Sequence, residues 1–319
     1  MILITENPNI QNGYSKVVRE LGKALNAYMP VRFGTGGNLS KDDFILTRPY
    51  FQNPFRFNTE ARIIGHYALE STRLPERLVR ECNDDRMYQV WVPSDYCKTI
   101  AVNNGVIEDK IRIVPHGYDT TIFYDKKTLG EVPFTFLFVG GYTGKGDRKG
   151  ADLIAEASKK LYGHTTQPFV VKFKINTIYG GFPESDLKSP NHTIDTTNYT
   201  DEEMGEVYRT ADCFITASQG EAFNMTLLEA MACGMPCISP LNTGERDFGA
   251  QIDYPLLQFE EVPAKFTPWD IGLWFKPDVD EIIEKMKQVL KDNPQKRTYD
   301  LKGFTWDEVA KKVVECLQR

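Results

Sequence analysis

Ser218-Gln-Gly-Glu221-Ala-Phe-Asn-Met-Thr-Leu-Leu-Glu229-Ala-Met-Ala-Cys-Gly234-Met-Pro236 follows directly on the apolar run Cys213-Phe-Ile-Thr216. The apolar run reads as a buried strand, and the glycine-containing stretch after it reads as a loop. Asn224 is a favoured helix N-cap, so a helix is expected over 226–233. Gly234 suits the position just past a helix end, with Pro236 beyond to prevent its continuation. Pro236-Cys-Ile-Ser239 then resumes as a strand. Strand, loop, helix and strand in this order predict two parallel strands joined by a crossover helix.

The same alternation extends outward in both directions. Ile2-Leu3-Ile4 reads as a strand and residues 14–28 as a helix, with Val17, Val18, Leu21 and Leu25 on one face. Ile63-Ile64, Val90-Trp91-Val92 and 111–114 read as later strands. Phe134-Thr-Phe-Leu-Phe-Val139 opens a second series, with a helix over 151–161, a strand over 169–175 and a helix over 201–209. Two helices close the chain, near 279–290 and 306–317. The expected fold is α/β, with two doubly wound Rossmann-like domains facing each other across a cleft. Their join lies near Pro115-His116-Gly117. The division expected is 1–118 for an acceptor-side domain and 119–300 for a nucleotide-sugar-binding domain. Residues 301–319 form a helix expected to pack back toward the first domain.

The 319 residues include 38 Lys and Arg against 44 Asp and Glu, a net charge of -6. A dedicated nucleic-acid binder is excluded on that balance. Hydrophobic residues at 41% and charged residues at 26% exclude a disordered chain. Neither a secretory signal nor a run of about 18 apolar residues is visible, so a cytoplasmic protein with no membrane span is expected. The six cysteines, at 82, 97, 213, 233, 237 and 316, read as free thiols.

The chemistry concentrates in the opening stretch. Backbone N–H groups of Phe223, Asn224 and Met225, at a helix start, can hold an anion. Glu221 lies just before them and Glu229 about a turn and a half into the helix. A carboxylate on either side of a bound phosphate suits a hydroxyl-rich ligand on both sides of a diphosphate. The same two residues also fit a dipole-favoured glutamate and a solvated helix glutamate.

Glu-x7-Glu followed by Ala-Met-Ala-Cys-Gly-x-Pro resembles the signature of retaining glycosyltransferase family 4, which has the GT-B fold. Five further segments match that pattern in order: Asn12-Gly13-Tyr14-Ser15, Trp91-Val-Pro-Ser94, Val114-Pro-His-Gly-Tyr-Asp119, Phe138-Val-Gly-Gly141 with Arg148-Lys149-Gly150, and Phe304-Thr-Trp306. The resemblance implies transfer of a sugar from a nucleoside-diphosphate donor to a hydroxyl acceptor, with retention at the anomeric carbon. It gives Glu221 the sugar hydroxyls, Glu229 the ribose hydroxyls, and Arg148 and Lys149 the diphosphate. Gly13 and Gly141 would let the backbone approach the donor. Gly141 stands where many members carry Arg. His66 is a further candidate for catalysis, and Glu70 and Tyr14 are candidates for the acceptor side.

No cofactor is expected beyond the donor itself. The adjacent pairs Asp42-Asp43 and Asp84-Asp85 have side chains that diverge in regular structure, so phosphate neutralisation by Arg and Lys rather than by a metal is expected. The acceptor could be a carbohydrate or a lipid- or protein-linked hydroxyl. A basic helical face through Arg73, Arg77 and Arg80 is the one feature that could suit a membrane surface, and with Glu76 and Glu81 diluting its charge a plain solvated face explains it better. Other readings are a phosphorylase, a nucleotide-sugar epimerase and a catalytically inactive nucleotide-sugar-binding protein. A nicotinamide oxidoreductase is disfavoured because no Gly-x-Gly-x-x-Gly follows either leading strand.

Overall fold

The computed structural model describes all residues except 11, 37, 49–52, 58, 127–132, 179, 266–268 and 319. The chain divides into two compact units. The first gathers residues 1–117, 263–273 and 302–319, and the second gathers 118–262 and 274–301.

In chain order the first unit contains β1 (Ile2–Ile4), α1 (Gly13–Leu25), β2 (Val31–Phe33), β3 (Phe44–Thr47), β4 (Arg62–His66), α2 (Glu76–Asn83), β5 (Met87–Val92), α3 (Asp95–Asn103) and β6 (Ile111–Ile113). The six strands pair in the order β2-β1-β3-β4-β5-β6, all parallel. Strand order reverses between β1 and β3, the position where doubly wound sheets open a crevice. β1, β3 and most of β4 and β5 are buried on both faces, which explains their continuous apolar runs.

The second unit runs β7 (Phe134–Gly141), α4 (Ala151–Tyr162), β8 (Phe169–Asn176), α5 (Glu184–Leu187), β9 (His192–Asp195), α6 (Asp201–Arg209), β10 (Cys213–Ile215), α7 (Met225–Ala232), β11 (Cys237–Pro240), β12 (Tyr254–Leu256), β13 (Phe259–Pro263), β14 (Leu273–Pro277) and α8 (Val279–Asp292). Its parallel sheet has the order β12-β11-β10-β7-β8-β9, and β13 pairs with β14 alone. Here the reversal falls between β7 and β10. The core on one face packs Phe136, Phe138, Phe169, Val171 and Phe173 against Leu153, Ile154 and Ala157 of α4 and Ile282, Met286 and Val289 of α8.

The final helix, α9 (Trp306–Leu317), belongs to the first unit. It lies against α1: the Tyr28 hydroxyl donates to Asp307 at 2.7 Å, and the Gln89 amide donates to the Cys316 carbonyl at 2.8 Å.

Three readings of the sequence need correction. The first helix ends at Leu25 rather than Tyr28, where Asn26 caps it and the chain turns. Four strands were not foreseen in the main sheets: β2, β3, β9 and β12. The basic face also dissolves, because α2 begins only after Pro75 and leaves Arg73 outside it. Arg73 pairs with Asp270, Arg77 with Glu81 at 2.7 Å and Arg80 with Glu76 at 3.6 Å, so each arginine has an acidic partner. All six cysteines are free, and five of them are buried. Among the described residues no helix is long and apolar enough to cross a membrane.

Candidate functional site

The loops that follow β7 and β10 leave the second sheet where its strand order reverses. They are riveted together. Gln219 donates its backbone N–H to the Arg148 carbonyl at 2.7 Å and its side-chain amide to the Asp147 carbonyl at 2.9 Å. The Ser218 hydroxyl adds a third bond to the Arg148 carbonyl at 3.2 Å. Gly150 lets the loops meet this closely. Its φ is +68°, and a Cβ there would stand 2.1 Å from the Ala217 carbonyl oxygen.

This junction brings together three of the residues singled out in the sequence. Lys149 Nζ lies 2.6 Å from Glu221 Oε1, and Arg148 Nη1 lies 3.2 Å from Glu221 Oε2. Arg148 also donates to the Gly220 carbonyl. Glu221 is only 5% exposed. Burial alone would push its carboxyl up, but the two cations outweigh that and hold it well below the usual carboxylate range. Arg148 and Lys149 are therefore not a solvated turn: one carboxylate takes both charges. Within the loop, Asp147 accepts from the N–H groups of Thr143 at 3.0 Å and Lys149 at 2.8 Å. That carboxylate shapes the turn presenting the cations.

Helix α7 starts as expected from Asn224. Its φ is +73°, a conformation that a short side chain bonding locally makes tolerable. Asn224 Oδ1 accepts from Leu227 N–H at 3.3 Å and from the Thr226 hydroxyl at 3.1 Å. That leaves the first-turn N–H groups of Met225 and Thr226 at the positive end of the helix. Leu227, Leu228, Ala230 and Met231 are all buried, so the helix is enclosed on most sides. Phe223 is buried against Phe248, its ring 5.1 Å away. Glu229 is likewise buried rather than solvated, and Tyr208 of α6 donates its hydroxyl to Glu229 Oε2 at 3.0 Å. No local signal pointed to Tyr208, which lies 21 residues away.

Gly141 closes β7 opposite Asn176 of β8. In the first unit Gly13 opens α1, and a Cβ there would meet nothing within 4 Å. Tyr14, His66 and Arg48 cluster at the carboxyl ends of that unit's strands. Arg48 covers the Tyr14 ring at 3.5 Å, and His66 meets the same ring edge-on at 5.7 Å. The Tyr14 hydroxyl accepts the Ala68 N–H at 2.9 Å. His66 is 4% exposed, and burial followed by the Arg48 charge lowers it to about 4. Glu70 is half-buried near this group and raises the Tyr14 phenol further above a value that burial has already lifted. Among the described residues no group of three His, Cys, Asp or Glu side chains could hold a metal ion.

Comparison with known proteins agrees with this geometry. The family described as glycosyl transferases group 1 matches residues 133–292. A probable sucrose-phosphate synthase of Thermosipho melanesiensis is 24% identical over 226 residues, which cover 67% of this chain and 48% of that one. The chain spans about half the length of the relatives it matches in sequence. Among solved structures, the sucrose-phosphate synthase of Thermosynechococcus elongatus superposes with a TM-score of 0.68 at 15% identity, covering 99% of this chain and 98% of that one. The Anabaena protein HepE in complex with UDP gives 0.66 at 14% identity, covering 99% of both chains. The fold they share with this chain is GT-B.

Proposed function

Because the chain belongs to the glycosyl transferases group 1, we propose that it is a retaining, metal-independent transferase of a sugar from a nucleoside diphosphate to a hydroxyl. The observation that carries this reading is the buried Glu221 carboxylate held between Lys149 at 2.6 Å and Arg148 at 3.2 Å, one loop away from the start of α7. A diphosphate is a stronger ligand for two cations than one carboxylate. As the donor enters, Arg148 and Lys149 turn to the phosphates, and Glu221 is released to accept hydrogen bonds from the sugar hydroxyls. Glu229, held by Tyr208, takes the ribose hydroxyls. The N–H groups at the start of α7 bind the phosphates, and Gly141 leaves room for them.

In the reaction the bond between the anomeric carbon and the diphosphate oxygen breaks, and its electron pair stays on that oxygen. Arg148 and Lys149 stabilise the charge that develops there. The acceptor hydroxyl attacks on the same face, and its proton passes to the departing phosphate. The acceptor is assigned to residues 1–118, with Tyr14 and Glu70 meeting it. Neutral His66 offers a hydrogen bond to a sugar hydroxyl. The name of the sequence relative favours a carbohydrate acceptor over a lipid- or protein-linked one.

The test is a thermal-shift screen against UDP-, GDP-, ADP- and dTDP-sugars, with and without EDTA. Stabilisation by one nucleotide class, with UDP the first choice on the strength of the HepE complex, is expected. It should be unchanged by EDTA. Glu229→Ala should weaken nucleotide binding, and Glu221→Ala should cost turnover more than binding. No shift with any of the four would sink the donor reading.

A further inference from the structure

We propose that Glu245, acting through the Thr243 hydroxyl, is a positioning residue that holds the Glu221 peptide in place for sugar transfer. The proposal rests on the reading that Glu221 meets the donor sugar.

Glu245 lies in the short 3-10 turn Gly244–Asp247 after β11 and is 1% exposed. Among the described residues no cation pairs with it. A buried carboxylate without a counter-ion is costly, and burial raises this one to about 7. Its partners are all neutral donors from two neighbouring residues. Oε1 accepts the N–H of Asn242 at 3.0 Å and of Thr243 at 3.1 Å, and Oε2 accepts the Thr243 hydroxyl at 2.7 Å.

The last of these bonds sets a direction. A threonine hydroxyl has one proton, and with Glu245 ionised that proton goes to the carboxylate. The oxygen is then left as an acceptor, and it receives the Glu221 N–H at 3.0 Å. The next residue completes the clamp: Gly244 donates its N–H to the Glu221 carbonyl at 2.9 Å. Gly244 also lies so close that a Cβ would stand 2.1 Å from the Ala222 carbonyl oxygen. Glu221 is thus held twice over. Arg148 and Lys149 hold its carboxylate, and they are the groups that must let go when a diphosphate arrives. The Thr243–Glu245 clamp holds its backbone and offers no cation for the donor's phosphates to draw away. Glu221 can exchange side-chain partners without its peptide drifting.

Thr243→Val keeps the side chain's shape and removes the hydroxyl, while Thr243→Ser keeps the hydroxyl. Glu245→Gln has only one acceptor oxygen for three donors. Two readouts decide. The first, in the absence of ligand, is amide hydrogen exchange over residues 219–223, which should quicken in Thr243→Val and Glu245→Gln and stay at the wild-type rate in Thr243→Ser. The second is calorimetry with UDP and with UDP-glucose. The gain in affinity from UDP to UDP-glucose should fall about five- to tenfold in Thr243→Val, the loss expected for one hydrogen bond. It should be restored in Thr243→Ser, with UDP itself bound as by wild type. Unchanged exchange in Thr243→Val, or an equal loss for UDP and UDP-glucose, overturns the positioning role. Glu221→Gln is run alongside. If it leaves the UDP-glucose gain intact, or if wild type shows no gain, the donor-site reading fails and this inference falls with it.

Discussion

Glu221 and His66 are both buried, yet only His66 is held in its neutral form. Glu221 stays ionised because two cations outweigh its burial, whereas His66 stays neutral because burial and the Arg48 charge act together. The second case has a consequence for stability. The unfolded chain takes up a proton on this histidine below about 6.5, and the folded chain does so only near 4. The unfolded state therefore binds more protons across that window. Stability from this group is fully present above about 6.5 and is lost as the pH falls toward 4. Urea melts of wild type and His66→Gln between pH 7 and pH 4 check this. The variant should lose stability less steeply, and parallel curves would remove His66 as the cause. At this scale the sequence was legible where chemistry follows local spacing. Asn224 as a cap, and Glu221 and Glu229 with seven residues between them, could be placed from the helix start alone. Thr243 and Tyr208 could not, because each meets its glutamate, 22 and 21 residues away, only after the intervening elements have packed together.

At the scale of elements, the donor site depends on two loops being pressed together, and Gly150 is where they touch. Gly150→Ala imposes a left-handed φ on a residue with a Cβ, worth about 1–2 kcal/mol, and drives that Cβ into the Ala217 carbonyl. The expected result is a fall in Tm of at least about 5 °C together with loss of the nucleotide-induced shift. Gly163→Ala is the control, since a Cβ there meets nothing within 4 Å. Equal melting of the two variants would show that the loops have room to part. The helices were readable almost to the residue for α6 and α9, which carry strong N-caps in Thr200 and Thr305. The strands were less so. β7 carries three phenylalanines in six residues and announces itself. β3 has only three apolar residues between Asp43 and Thr47, too few to show a period. The edge strands β2 and β9 are short and half-exposed, so their identity lies in their neighbours.

At the scale of the whole molecule, each unit is complete only through chain segments distant in sequence. The first unit needs α9, which buries Trp306, Val309, Val313 and Leu317. At about 1.5–3 kcal/mol for each such side chain, losing the helix removes an amount comparable to a domain's entire stability. A chain ending at Leu301 should therefore show two melting events, with the first unit unfolding at a much lower temperature and the second near its wild-type value. Limited proteolysis should cut within 1–117 first. A single transition at the wild-type temperature would show that α9 is dispensable.

The return of the last helix to the first unit has a further meaning during synthesis. The N-terminal sheet leaves the ribosome before residues 302–319, which complete its unit, and by the time they follow the other unit has been fully translated. The half made later is thus the half able to finish folding sooner. The early half waits with the α1 face that α9 will cover still bare.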